Sequence, residues 1–256
     1  MWPPPKSGPA FSFEKHLFSM LDFLSKLFGV TSLKTFFQMT EGPIFTENII
    51  AGVITSFLFA GLEPVSATTT FCLYELVRDP EMQERLFEEI QSARKESCGE
   101  IKYEDLKKLR YLDQVVNETL RKYPVAGIIA RNCTENVQIS GESVVVEKDV
   151  KVFISTYALH RDPIFFLDPD KFDPERFFEE NVDEIIPGSY LPFGDGPRFC
   201  IAQRLALMDV KTMVITLVSG YTLHTCSRSV DPIEMDPEAF ILNPKGSVWL
   251  QLKKRI

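Results

Sequence analysis

The stretch LPFGDGPRFCIAQRLALMDV, residues 191–210, sets a single cysteine, Cys200, behind a glycine-rich turn and in front of a run with helical periodicity. A cysteine at that junction meets unpaired backbone N–H groups and the positive end of the helix dipole, both of which favour an anionic sulfur. Gly194 and Gly196 allow a tight turn without a Cβ, so a flat ligand can lie against the backbone. Arg198, two residues before the thiol, adds a fixed cation, and a guanidinium is the natural partner of a carboxylate. A catalytic cysteine would want a histidine base. The nearest histidines in sequence, His160 and His224, have no partner pattern that supplies one, so a metal ligand is the better chemical reading of Cys200. Turn, cation and thiolate together describe a seat for haem, whose porphyrin carries two carboxylates.

The remainder of the chain has material to enclose such a group. It is 256 residues long, 45% hydrophobic and 12% aromatic, enough for a sizeable core in one large domain or two small ones. A formal net charge of −8 argues against an electrostatic grip on nucleic acid. The five cysteines, Cys72, Cys98, Cys133, Cys200 and Cys226, are odd in number and contain no CxxC pair, which suggests neither a disulfide framework nor a zinc site. A reducing compartment is the simpler reading. His16, His160 and His224 are not spaced as ligand pairs.

Punctuation along the chain predicts a mainly α fold with a minor antiparallel sheet. The opening MWPPPKSGPAF lacks a cationic segment followed by an apolar one, so no signal peptide is expected. HLFSMLDFLSKLFGV, residues 16–30, is amphipathic, a pattern used by core helices and by membrane-surface helices. The apolar run IIAGVITSFLFAGL, 49–62, is short of the ~18–20 residues of a membrane span and ends at Glu63, so a buried helix is expected there. Helical pattern runs from about Ser12 to Lys122. Asp79 and Pro80 serve as cap and first residue of one helix, and Leu106, Leu109, Leu112, Val116 and Leu120 line another that Pro124 stops. Between Val137 and Tyr157 the period becomes two, predicting a small sheet interrupted at Gly141 and at Glu147–Lys148. HRDPIFFLDPDKFDPERF reads as coil with enough Phe to pack. Helix returns over 201–219 with Gly220 as its stop, and short strands such as SVWLQL close the chain.

The residues at the cysteine also carry a family resemblance. Phe193, Gly196, Arg198 and Cys200 reproduce the Phe-x-x-Gly-x-Arg-x-Cys haem signature of the cytochrome P450 family. Four matches in register arise by chance on the order of once per million start positions. The family's usual glycine two residues after the cysteine is Ala202 here, a small-for-small change. In NETLRKYP, Glu118 and Arg121 match the family's Glu-x-x-Arg helix, and DPERF at 173–177 follows in the family's order. The resemblance implies that Glu118, Arg121 and Arg176 form a buried charge network behind the haem. Arg131 matches a position that often binds a haem propionate, and ALHRDP, with His160 and Arg161, resembles a segment that often lies on the propionate side. FAGLEPVSATTTF is similar to the central helix across the distal face, with Ala60, Gly61 and Glu63 matching and Gly61 and Glu63 expected to line the oxygen groove. Pro64 stands where the family has a threonine whose hydroxyl serves proton delivery. Proline offers neither hydroxyl nor N–H, while Ser66, Thr68 and Thr69 are misplaced substitutes.

The resemblance covers about residues 45–256, the family's carboxyl-terminal half, leaving 1–44 as a segment of uncertain origin. FSMLDFLSKLFGVTSLKTFF and WPPPKSGP only weakly resemble the family's roof and proline hinge. A half-length chain is expected to expose apolar surface that further helices would cover. What the resemblance implies is a haem-thiolate oxidoreductase holding haem b (iron protoporphyrin IX) on Cys200. It would insert one oxygen atom of O2 into a small apolar substrate, fed with NADPH electrons by a flavoprotein reductase at the endoplasmic reticulum membrane. Two alternatives stay open: an isomerase- or dehydratase-like enzyme acting on an already oxidised substrate, and a truncated product without a catalytic cycle.

Overall fold

The computed structural model describes residues 47–97 and 99–255. The expectations for residues 1–44, the amphipathic stretch 16–30 among them, and for Cys98 lie outside the described residues. The chain divides into two compact units, residues 1–57 and 58–256.

In the first unit the described residues open a long helix, α1 (Glu47–Arg78), which runs on into the second. The second unit then carries α2 (Pro80–Glu96), a 3-10 turn (Asp105–Lys107) and α3 (Arg110–Lys122). Strands β1 (Ile129–Asn132), β2 (Val137–Gln138), β3 (Val145–Val146) and β4 (Lys151–Ile154) follow, then the short α4 (Thr156–Leu159) and a 3-10 turn (Pro174–Phe177). The chain finishes with α5 (Gln203–Gly220), β5 (Tyr221–His224) and β6 (Gln251–Lys254). The described residues are thus rich in helix, with three two-stranded antiparallel sheets pairing β1 with β4, β2 with β3 and β5 with β6.

Local chemistry sets the ends of these elements. The Asp79 carboxylate accepts from the Met82 N–H at 2.9 Å while Pro80 occupies the first helical turn, where its missing N–H costs nothing. Met82, Leu86 and Ile90, one face of α2, are buried as their spacing requires. α3 starts later than its leucine spacing suggests. Leu106 falls in the preceding 3-10 turn and Leu109 is the cap residue. Its first N–H groups are satisfied from another helix, because Glu89 of α2 accepts from Tyr111 and Leu112 at 2.7 and 3.0 Å. α5 includes Gly220, and Tyr221 is its cap, so the glycine is the last helical residue instead of the first one beyond.

The core forms where α1, α2, α3 and α5 bury Leu76, Leu86, Leu112, Val115 and Val214 completely. Full burial of each such side chain is worth about 1.5–3 kcal/mol. Buried Gln83 fastens β5 to this core, donating to the carbonyls of Leu76 and Leu223 and accepting from the Leu223 N–H at 2.7 Å. Beside it, Glu75 gathers Lys122 at 3.0 Å, Arg78 at 3.5 Å and the Tyr123 hydroxyl around one buried carboxylate.

The run 49–62 corrects one expectation: it is helical, but it is not buried. Val53, Phe57, Leu58, Phe59 and Leu62 are exposed, Leu62 at 68%. Only 6% of the most apolar window of this helix is buried, whereas Phe71, Cys72 and Leu76 farther along are fully enclosed. Ile50, Ala51 and Ile54 of the same stretch are half-buried. By length and composition alone, Ile49–Arg78 is long and apolar enough to cross a membrane.

Candidate haem-thiolate site

A cavity of about 420 Å³ lies in the second unit between α1 on one side and the segment leading into α5 on the other. Helical geometry decides which α1 residues reach it. Gly61, Pro64, Val65 and Thr68 line it, at spacings i, i+3, i+4 and i+7 that share one helix face. Glu63 is two positions from Gly61, about 200° around the axis, and the structure turns it away from the cavity. It is exposed and accepts a hydrogen bond from the Asn243 side chain at 3.3 Å. The pair expected to share a groove is therefore split, Gly61 inside it and Glu63 outside. A Cβ placed on Gly61 would meet nothing within 4 Å, so the glycine opens directly onto free space.

The opposite wall is the cysteine turn. Gly194 and Gly196 hold φ of 71° and 72°, a left-handed backbone that side chains oppose. Gly194 N–H donates to the Leu191 carbonyl at 3.1 Å and Cys200 N–H donates to the Phe193 carbonyl at 2.8 Å, closing the loop on itself. Phe193, Arg198 and Cys200 line the cavity; Gly196 shapes the turn without lining it. An alanine at Gly194 must keep that strained φ and brings a Cβ to 3.7 Å from the Arg131 guanidinium. Gly194→Ala is expected to cost about 1–2 kcal/mol, read as an earlier urea midpoint; an unchanged midpoint would contradict a turn held in this conformation.

Arg131 enters from β1, a strand absent from the sequence expectation although Ile129 and the alternation around it hint at one. Arg131 donates only to the Ala130 carbonyl, at 2.9 Å. Among the described residues, neither Arg131 nor Arg198 pairs with a carboxylate, so two cations border a mostly apolar cavity with no ion-pair partner. Asp209 of α5, unremarked in the sequence, is the one carboxylate in the lining. These features fit a haem: a free thiol facing a glycine-opened helix face, apolar walls, and two guanidinium groups for two propionates.

The charge network sits behind this wall and does not line the cavity. Arg121 is fully buried and donates to Glu118 through Nε at 2.7 Å and Nη2 at 2.8 Å, to the His160 carbonyl at 2.8 Å and to the Lys171 carbonyl at 3.2 Å. Glu118 also accepts from the Asp173 N–H at 2.8 Å and lies 3.5 Å from Arg176 Nε, while Arg176 donates to the Asp168 carbonyl at 2.9 Å. The structure brings Glu118, Arg121 and Arg176 together. Burial pushes the Glu118 carboxyl above its ordinary range, while the Arg121 guanidinium, the Asp173 N–H and Arg176 pull it back down. His160 and Arg161 do not line the cavity either. His160 is fully buried, and burial presses its pKa down to about 4. Arg161 stacks on the Tyr157 ring at 4.0 Å.

A buried Glu-x-x-Arg pair behind a cysteine loop, which faces an open helix across a mostly apolar cavity, fits a haem-thiolate architecture. The chain belongs to the cytochrome P450 family, whose profile, described as Cytochrome P450, matches residues 14–250. It is 42% identical over 205 residues to cytochrome P450 6l1 of Blattella germanica, covering 80% of this chain and 41% of the relative. It is 40% identical over 202 residues to probable cytochrome P450 9f2 of Drosophila melanogaster, covering 78% and 39% respectively. With cytochrome P450 3A13 of Mus musculus it shares 36% identity over 235 residues, 92% of this chain and 45% of the relative. The chain therefore spans less than half the length of these relatives. The matched range takes in residues 14–44, which the motifs alone leave unassigned.

Proposed function

We propose that residues 45–256 form the haem-binding part of a monooxygenase acting on small apolar substrates. The observation that carries this reading is that Cys200, Arg198, Arg131 and the Gly61–Pro64–Thr68 face all line one cavity. Haem b would be held there through the Cys200 thiolate, and when bound it would supply oxygen chemistry in which thiolate electron donation favours O–O cleavage. Arg131 and Arg198 would hold the propionates. Val65, Val116, Leu120 and Ile129 give the lining apolar surface that suits an apolar substrate. Electrons from NADPH through a flavoprotein reductase, and a place at the endoplasmic reticulum membrane, belong to the same reading by family membership.

Proton supply is where this chain's residues differ from the family pattern. Pro64 puts no donor into the cavity. Thr68, one turn on and also in the lining, is buried, and its hydroxyl donates to the Pro64 carbonyl at 2.8 Å. Thr69 and Thr70 likewise donate to carbonyls four residues back, at Val65 and Ser66. Glu63 faces Asn243 instead. This favours a second reading in which the substrate arrives already oxidised, as a hydroperoxide, and no proton relay from solvent is needed.

The two readings separate experimentally. With the haem-loaded chain, Pro64→Thr is expected to raise NADPH- and reductase-driven oxidation of an apolar probe about a hundredfold, the modest end of what a positioned proton donor contributes. Turnover with an organic hydroperoxide should change little. Hydroperoxide turnover that NADPH and reductase cannot replace, in parent and variant alike, would establish the second reading over the first.

A further inference from the structure

The cysteine loop is tied to the charge network through one imidazole. His160 lies at the end of α4, and its ring is packed against Tyr190 at 5.3 Å and Phe166 at 6.3 Å. Its Nε2 is 2.8 Å from the Leu191 N–H, and its Nδ1 is 3.2 Å from the Arg121 carbonyl. A backbone N–H can only donate, so Nε2 must be the unprotonated acceptor. Nδ1 then carries the proton and donates to Arg121. The reverse link is made by Arg121, whose Nη1 donates to the carbonyl of His160 itself.

Leu191 opens the loop that ends at Cys200, and its own carbonyl receives the Gly194 N–H inside that loop. Among the described residues, the His160–Leu191 contact is the one hydrogen bond joining segment 191–200 to an element other than α5. Every other hydrogen bond of the segment is internal or passes to Gln203. We infer that His160 is a positioning residue for the thiolate ligand, a neutral two-ended bridge through which the Glu118–Arg121 pair sets where the Cys200 loop stands. Its burial supports this role, since a ring kept neutral retains the acceptor that Leu191 needs.

The inference rests on the haem-thiolate reading, and two amides divide the bridge. His160→Gln can place an oxygen where Nε2 stood and keep the Leu191 contact. His160→Asn reaches only the Nδ1 position, so it keeps Arg121 and releases Leu191. Each removes one of the two hydrogen bonds. Asn is one methylene shorter and leaves the larger void at this buried site, so the urea midpoint of each variant is measured beside the Soret and exchange readouts to tell a folding loss from a displaced loop. The full chain with added haem, reduced under carbon monoxide, reports thiolate-ligated against displaced haem by the Soret band. The ratio in His160→Asn is expected to fall about fivefold below that in His160→Gln, the effect of one neutral hydrogen bond. Without haem, the Leu191 amide should exchange with solvent faster in His160→Asn by a similar factor. Equal ratios in the two variants, haem retained by neither, or equal Leu191 exchange would overturn the inference. A parent chain with no thiolate-type band but the expected difference in Leu191 exchange would instead overturn the haem-thiolate reading alone.

Discussion

Glu118→Ala is expected to lower the unfolding free energy of the chain by about 3–5 kcal/mol, the range for breaking a buried ion pair. The size follows from what the substitution leaves behind. Arg121 is fully buried, and a guanidinium cannot shed its proton to escape the cost of an uncompensated charge. It would keep the carbonyls of His160 and Lys171 but lose both contacts to the carboxylate, while the Asp173 N–H loses its acceptor and Arg176 loses a counter-charge 3.5 Å away. A domain has roughly 5–15 kcal/mol in all, so the loss is a large share. Urea denaturation followed by circular dichroism measures it. A change below about 1 kcal/mol, the size of an exposed pair, would contradict a buried network. Swapping the whole Glu118–Arg121–Arg176 set for apolar residues is a different experiment, because it strands no charge.

What could be read in the sequence was the chemistry held within a few residues. Phe193 to Cys200 is one contiguous turn, so its glycines, cation and thiol declare themselves together. Glu118 and Arg121 are three apart on one helix, and their pairing is local. Interactions between remote segments left no mark. The Glu89 carboxylate that caps α3 is 22 residues from Tyr111, Lys122 is 47 residues from Glu75, and Gln83 is 140 from Leu223. Each looks like an ordinary polar residue on a helix until the fold supplies its partner.

Two expectations met physical features of a more general kind. A linear motif does not say which helix face its residues occupy, so Gly61 and Glu63 looked like neighbours in a groove although 100° per residue separates them. Hydrophobicity, similarly, signals that a surface needs cover but not what covers it. The run 49–62 is apolar enough for a core, yet Val53, Phe57, Leu58, Phe59 and Leu62 are exposed. The short β1 escaped notice because four residues carry little periodic signal, although it brings Arg131 to the cavity.

The claim on which the rest depends is that Cys200 presents its sulfur to haem iron across the cavity from Gly61. Both residues line the same space, and the Cys200 thiol is free. The direct test is the reduced carbon monoxide spectrum of the haem-loaded chain beside that of Cys200→Ala. The parent should show the strongly red-shifted Soret band of a thiolate ligand. The variant, which keeps the apolar cavity, Arg131 and Arg198, should still take up haem and lose that band entirely. A parent spectrum without the red-shifted band, or one indistinguishable from that of Cys200→Ala, would contradict the assignment of Cys200 as the ligand.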